Sequence, residues 1–326
     1  MAAASGTSAV QRQLLGVGKR WDGTEIGIPV LTIEGKQPGP TLLVVSGTHG
    51  DEPEGMGAIH RLVNDLNPVD LHGRFVGVPV LNTPAHEARR RGNPLDDWNY
   101  DMNRLFPGSP SGSITERLAY ALCSTLLEEA DLLIALHSGG NNIFVCERVI
   151  IDSMMPAHLE LAKAMGPGWE IIARGAGERT SIKTLTAYAA SKGKPSLTVE
   201  LGGASGRLPD EFNRQIDALV EGVQNVMRHY KMLPDAPNRA NEWILVEYHP
   251  IRCSHGGYIV YEAACRLKSH VEKGTPLLRI HDQFGTILEE IAAPDDVIIL
   301  SVPVPYVPFG GAQVMTVGRV VERYSS

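Results

Sequence analysis

The chain has 326 residues, with 37 acidic against 30 basic side chains and a formal net charge of -7. That balance argues against a nucleic-acid partner, since phosphate binding wants a basic face. With 43% hydrophobic residues the chain can bury a sizeable core, yet no apolar stretch is long enough to span a bilayer, and no polybasic tract is present to engage a membrane surface.

Residues 1–20 read as a loose lead-in. Met1-Ala-Ala-Ala-Ser-Gly-Thr-Ser lacks the charged start and apolar core of a signal peptide, so a cytoplasmic location is expected. From about Ile28 to Tyr230, short apolar runs alternate with helical patterns. Strands are predicted over 28–33, 41–46, 74–80, 132–136, 143–151 and 196–200. Helices are predicted over 53–65, 113–130, 156–166, 181–192 and 210–231. Ser113-Ile-Thr-Glu116 fits a capping box at one helix start. Near-continuous apolar strands bounded by helices imply an α/β fold: a mixed, mostly parallel sheet flanked by helices. Residues 82–112 form a long Pro-, Gly-, Asn- and Arg-bearing loop, a length that favours a functional role. A polar, Pro-bearing stretch at 233–241 marks a boundary. Beyond it, short alternating runs punctuated by Gly and Pro predict a smaller all-β domain. The expected organisation is a catalytic unit over 21–234 and a β-rich unit over 235–326.

Four cysteines, Cys123, Cys146, Cys253 and Cys265, include no C-x-x-C pair. Reduced, mostly buried thiols are expected, with a Cys253–Cys265 bridge left open.

Three predicted strands end in chemistry. Thr41-Leu-Leu-Val-Val-Ser-Gly-Thr runs into His49-Gly-Asp-Glu52, Leu132-Leu-Ile-Ala-Leu136 into His137, and Ser196-Leu-Thr-Val199 into Glu200. In open parallel sheets, ligands bind beyond the carboxyl ends of strands. His49, Glu52 and His137 make a His₂Glu set with Glu200 as a further carboxylate, the inventory of a zinc hydrolase. Two imidazoles favour zinc over magnesium, which prefers oxygen donors. Three protein ligands leave a position open for water, and Glu200 is placed to act as general base and then acid. Gly47 and Gly50 allow the His49 turn to tighten. The other nine histidines are taken as core or solvent residues. In the long loop, Arg104 can hold a substrate carboxylate as a fork and Asn103 can add an amide donor. No nucleophile elbow, dinucleotide fingerprint or P-loop occurs.

Gly47-Thr-His-Gly-Asp-Glu52, Asn82-Thr-Pro-Ala85, Arg91, Asp101-Met-Asn-Arg-Leu-Phe-Pro-Gly108, Leu136-His-Ser-Gly and Thr198-Val-Glu-Leu-Gly stand in an order that resembles the succinylglutamate desuccinylase/aspartoacylase family of zinc carboxypeptidase-like enzymes. The resemblance covers about residues 25–230, and the tail is similar to a biotinyl/lipoyl-like hairpin fold. It implies one Zn²⁺ on His49, Glu52 and His137, and Glu200 as the base. It also implies Arg91 on the scissile carbonyl, and Asn103 with Arg104 on a substrate carboxylate. The stretch Gly92–Tyr100 is longer than in aspartoacylase, so Arg89, Arg90 and Arg91 stay alternatives for one role. The expected activity is deacylation of a small N-acyl amino acid carrying a carboxylate, with a homo-oligomer left open. The competing readings are a metallocarboxypeptidase and a non-catalytic zinc-binding module.

Overall fold

A computed structural model describes residues 10–96, 98, 100–174, 183–203, 208–304 and 309–325. In chain order its strands are β1 (Val10–Lys19), β2 (Glu25–Glu34), β3 (Gln37–Val45), β4 (His72–Val78), β5 (Leu132–His137), β6 (Ile143–Ile151), β7 (Ile171–Arg174), β8 (Ser196–Gly203) and β9 (Glu242–Arg252). They continue as β10 (Tyr258–Tyr261), β11 (His270–Val271), β12 (Pro276–His281), β13 (Ile287–Ala292), β14 (Val297–Pro303) and β15 (Gln313–Ser325). The helices are α1 (Glu54–Asp65), α2 (Thr83–Glu87), α3 (Ile114–Ala121), α4 (Pro156–Lys163), α5 (Leu185–Ser191) and α6 (Pro209–His229).

Among the described residues, twelve strands form one sheet in the order β1-β2-β4-β3-β5-β8-β6-β7-β9-β15-β14-β11. Its centre is parallel: β4 with β3, β3 with β5, and β5 with β8. Beyond β8 the direction reverses once, with β6 antiparallel to β8 and then β6, β7 and β9 parallel to one another. The sheet is therefore mixed and mostly parallel through the catalytic region, as the apolar runs predicted.

Strand alternation sorts the core into two layers. Leu42, Val44, Ile134, Leu136, Leu197 and Val199 face a cluster with Ile59 and Leu62 of α1, Leu161 of α4, and Leu219 and Val223 of α6. Leu43, Val45, Leu133 and Ala135 face the opposite cluster, with Leu118 of α3 and Leu185 of α5. Burial on both faces explains why these strands lack a polar face in sequence. It also fixes where His137 and Glu200 point. Each follows a residue of the α1/α6 layer, so each projects to the other side.

The structure differs from the sequence reading at several elements. The loose lead-in expected over 1–20 is, from Val10 to Lys19, a strand paired antiparallel with β2 at the sheet edge. It is mostly exposed, so it carries no alternating apolar pattern to betray it. Ile171–Arg174 was passed over because four residues are too few for a period to register. The helix predicted over 113–130 keeps its capping box at Ser113 and Glu116, but after Ala121 it widens into a π-helical stretch, Leu122–Leu127. Residues 181 and 182 of the predicted 181–192 helix lie outside the described residues, and α5 starts after an N-cap at Thr184. The long loop contains α2 and a 3₁₀ turn, Met102–Arg104. The tail is strand-rich as predicted, and its strands β9, β15, β14 and β11 extend the large sheet, while β10, β12 and β13 form a small separate one. β14 also pairs with β6.

Candidate metal and active site

The turn after β3 packs against α2 and its approach. Gly47 adopts φ +63, the left-handed region, and a Cβ there would meet Val80 Cα at 2.8 Å. Gly50 is required for a different reason: a Cβ would stand 2.0 Å from the carbonyl carbon of Ala85. Gly47 O accepts from Asn82 N at 2.8 Å, and Gly50 N donates to Arg90 O at 3.0 Å. These constraints swing His49 and Glu52 toward the end of β5.

His49, Glu52 and His137 are all buried. His49 Nδ1 lies 2.7 Å from Glu52 Oε1, and His137 Nδ1 lies 2.8 Å from Glu52 Oε2. The two Nδ1 atoms are 3.2 Å apart. One donor atom from each residue falls within 4.8 Å of the others. Two imidazole nitrogens cannot face each other at that distance as lone pairs without a proton or cation between them. A buried, convergent N, N, O set of this kind fits a divalent metal.

The electrostatics agree. Burial works against charge on both partners, but the Glu52 carboxylate and Asp101 outweigh it at His49, raising that imidazole to about 9. At Glu52 burial is likewise outweighed, by His49 and His137, and the carboxyl sits well below the usual range. The group is therefore poised with an ionised carboxylate and cationic demand.

Asp101, which the sequence motif contains without a role of its own, neighbours the donor set. Its Oδ1 lies 3.1 Å from His49 Nε2, and its Oδ2 accepts from Arg91 Nη2 at 3.0 Å. A carboxylate on the far nitrogen fixes the imidazole's tautomer and orientation. Glu54 lies behind the turn, accepting from Ser138 Oγ at 2.7 Å and Gly203 N at 3.3 Å, and burial pushes its carboxyl up to about 7.

A polar cavity of about 320 Å³ opens in front of the donor set, lined by His49, Glu52 and His137 together with Arg91, Asn103, Arg104 and Glu200. All seven residues singled out in the sequence thus border one space. Glu200 is the register partner of His137 across β5–β8. Burial raises its carboxyl above the usual range, against the pull of Arg148 and His137. Of the three consecutive arginines, Arg91 faces the site: its Nη1 is 3.7 Å from Glu52 Oε1 and 3.4 Å from His49 Nδ1. Arg89 lines a different cavity with Asp51 and Glu54, while Arg90 contributes its carbonyl to the His49 turn. Asn103 Oδ1 accepts from Leu185 N at 3.1 Å, and Arg104 is half-exposed at the rim.

Arg148 was missed altogether. It is the β6 register partner of Glu200, buried, and held by Tyr248 Oη at 2.9 Å and Leu300 O at 2.9 Å. A lone arginine inside an apolar strand was the available signal, because such a charge must find partners.

A convergent His–Glu–His set with a carboxylate beside it, at the carboxyl ends of parallel strands, makes a pocket in this α/β fold that could hold a metal ion. The Succinylglutamate desuccinylase/Aspartoacylase catalytic domain matches residues 38–230. The N-alpha-acetyl-L-2,4-diaminobutyric acid deacetylase of Halomonas elongata is 31% identical over 313 residues, covering 90% of this chain and 86% of the relative. The product-bound ectoine utilization protein EutE (DoeB) from Ruegeria pomeroyi superposes with a TM-score of 0.83 at 26% identity, covering 95% of each chain. The succinylglutamate desuccinylase/aspartoacylase from Rhodobacter sphaeroides gives a TM-score of 0.83 at 25% identity, over 96% of each chain. The chain belongs to the succinylglutamate desuccinylase/aspartoacylase family.

Proposed function

We propose that this protein is a zinc-dependent amide hydrolase that removes the acyl group from a small N-acyl amino acid. The observation that carries the reading is the convergence of His49, Glu52 and His137 beside Glu200 on one cavity. Membership of a deacylase family supports an amide substrate, and the Halomonas relative supports an N-acyl amino acid. The nitrogen-rich donor set favours zinc. A Zn²⁺ ion held there would supply a Lewis acid that acidifies water and polarises the scissile carbonyl.

The chain's own groups account for the rest. Glu200 takes a proton from the attacking water and returns it to the leaving amine. Its raised pKa suits that double duty, since a base must also reprotonate. Arg91, oriented by Asp101, donates toward the carbonyl oxygen as negative charge grows there. Asn103 Nδ2 and the Arg104 fork hold the substrate carboxylate, with Leu185 N fixing the Asn103 amide.

The metallocarboxypeptidase alternative needs an open groove. A cavity of about 320 Å³, walled in part by Tyr248, Ser301 and Thr316 of the tail, supports a small substrate instead. The proposed units over 21–234 and 235–326 share one sheet and are taken to fold together. Four unbridged cysteines support a cytoplasmic location. The test is release of amine from a panel of N-acetyl, N-succinyl and longer N-acyl amino acids, with and without chelator. Turnover that survives complete metal removal sinks the reading.

A further inference from the structure

Glu200 stands at the end of one ladder and beside a break in another. The β5–β8 pairing ends at His137 and Glu200, so Glu200 occupies its last rung. On the other side the β6–β8 register shifts: Val145 pairs with Gly202 and Arg148 with Glu200, which leaves Cys146 and Glu147 opposite Leu201 alone. A bulge interrupts a ladder locally, and the end of a ladder is where it opens first.

Glu54, the first residue of α1, ties these ends together. The helix start is pressed onto β5, since a Cβ on Gly55 would stand 2.7 Å from Leu136 Cβ. From that base the buried Glu54 carboxylate divides its two oxygens. Oε2 accepts from the hydroxyl of Ser138, the residue after His137, at 2.7 Å. Oε1 accepts from the backbone N–H of Gly203, the last residue of β8, at 3.3 Å. Ser138 is itself fixed to the donor set, because its N–H donates to Glu52 Oε2 at 3.2 Å. One side chain therefore spans from the turn behind His137 to the strand end behind Glu200, where the β5 ladder no longer does. The donor turn is anchored separately, with Asn82 N on Gly47 O and Gly50 N on Arg90 O.

We propose that Glu54 is a positioning residue: by bridging Ser138 and Gly203 it fixes Glu200 relative to His137, and so to the water and the amine between which Glu200 carries a proton. The inference rests on the deacylase reading above and adds a residue that does not line the reaction cavity. Such spacing matters because a displacement of about 1 Å can cost about 10²-fold in rate.

The test measures kcat, KM and bound zinc together on the full chain, with the N-acyl amino acid that the panel above shows to be turned over fastest. Glu54→Ala is expected to keep its full zinc and a KM within about twofold of wild type, and to lose about 10²-fold in kcat. Glu54→Gln still offers an acceptor to Gly203 N and a donor to the Ser138 hydroxyl, so it is expected to restore kcat to within about threefold of wild type. Ser138→Ala cuts one arm of the bridge and is expected to fall between, at about a tenfold loss in kcat. A kcat within about twofold of wild type in Glu54→Ala or in Ser138→Ala overturns the proposal, and the Ser138 variant decides alone if Glu54→Ala does not fold. Loss of zinc in step with kcat overturns it too, because the carboxylate would then act on the donor set and not on the base. So does a Glu54→Gln chain as slow as Glu54→Ala. Each of these results leaves the deacylase reading standing, whereas a wild-type chain that releases amine from no N-acyl amino acid removes both.

Discussion

Glu200 lies between two strands that influence it oppositely to its surroundings. Burial is the largest effect and raises its carboxyl, while Arg148 on β6 and His137 on β5 pull it down without cancelling the rise. In its proposed role as base it must be ionised, so activity is expected to fall as pH drops through its raised pKa. The ascending limb of kcat/KM is therefore expected above the ordinary carboxylate range. A limb centred near 4.5, the unperturbed value, would remove Glu200 from the proton transfer. Glu200→Gln is expected to keep its full metal content and to lose about 10²–10⁴ in kcat. His49→Ala and His137→Ala are expected to lower bound metal in elemental analysis; full stoichiometry in both refutes the donor assignment. Arg104→Ala, altering a half-exposed anchor, is expected chiefly to raise KM, and a pure kcat effect would reassign it to the transition state. Much of this was legible in the letters, because a polar residue ending an apolar run is conspicuous. Arg91 was separable from Arg89 and Arg90 only in three dimensions, where Arg89 sits at φ +53 and turns toward another cavity.

At the scale of elements, the turn between β3 and α1 is built by close approach to α2. Gly50 has no room for a methyl against the Ala85 backbone. Gly50→Ala is expected to destabilise by about 1–3 kcal/mol through overpacking, and to reduce metal content by displacing His49 and Glu52 together. A thermal melt and a metal assay check both; unchanged values in the two would mean that α2 yields freely. The elements that sequence revealed are those with strong local signals. Apolar runs marked β3, β5 and β8, and the Ser113–Glu116 capping box marked α3, where Ser113 N donates to Glu116 Oε2 at 2.9 Å. The elements it hid are stabilised by neighbours. β1 holds its place through its register with β2, and β7 through β6 and β9.

In the whole molecule, the tail is part of the sheet that carries the site. β9 pairs with β7, β14 pairs with β6, and Leu300 and Tyr248 hold the Arg148 that faces Glu200. Removing 235–326 is therefore expected to abolish cooperative unfolding of the remainder, where an independent catalytic unit would melt as a single transition. Metal removal is a gentler perturbation of the whole. A ligand present at about a thousandfold over its Kd stabilises by about 4 kcal/mol, so chelation is expected to lower Tm and zinc to restore it. The sequence by itself determined the layered α/β class, the strand-rich tail and the polar residues His49, Glu52 and His137 that the fold brings together. A strand buried on both faces must be apolar, and its carboxyl end is where a polar group can stand. Only the tertiary structure decided which strand lies beside which. Arg148 opposite Glu200 depends on strand register set by cross-strand hydrogen bonding, while Asp101 behind His49 and Asp152 against Thr186 depend on loop and helix packing between segments remote in the chain.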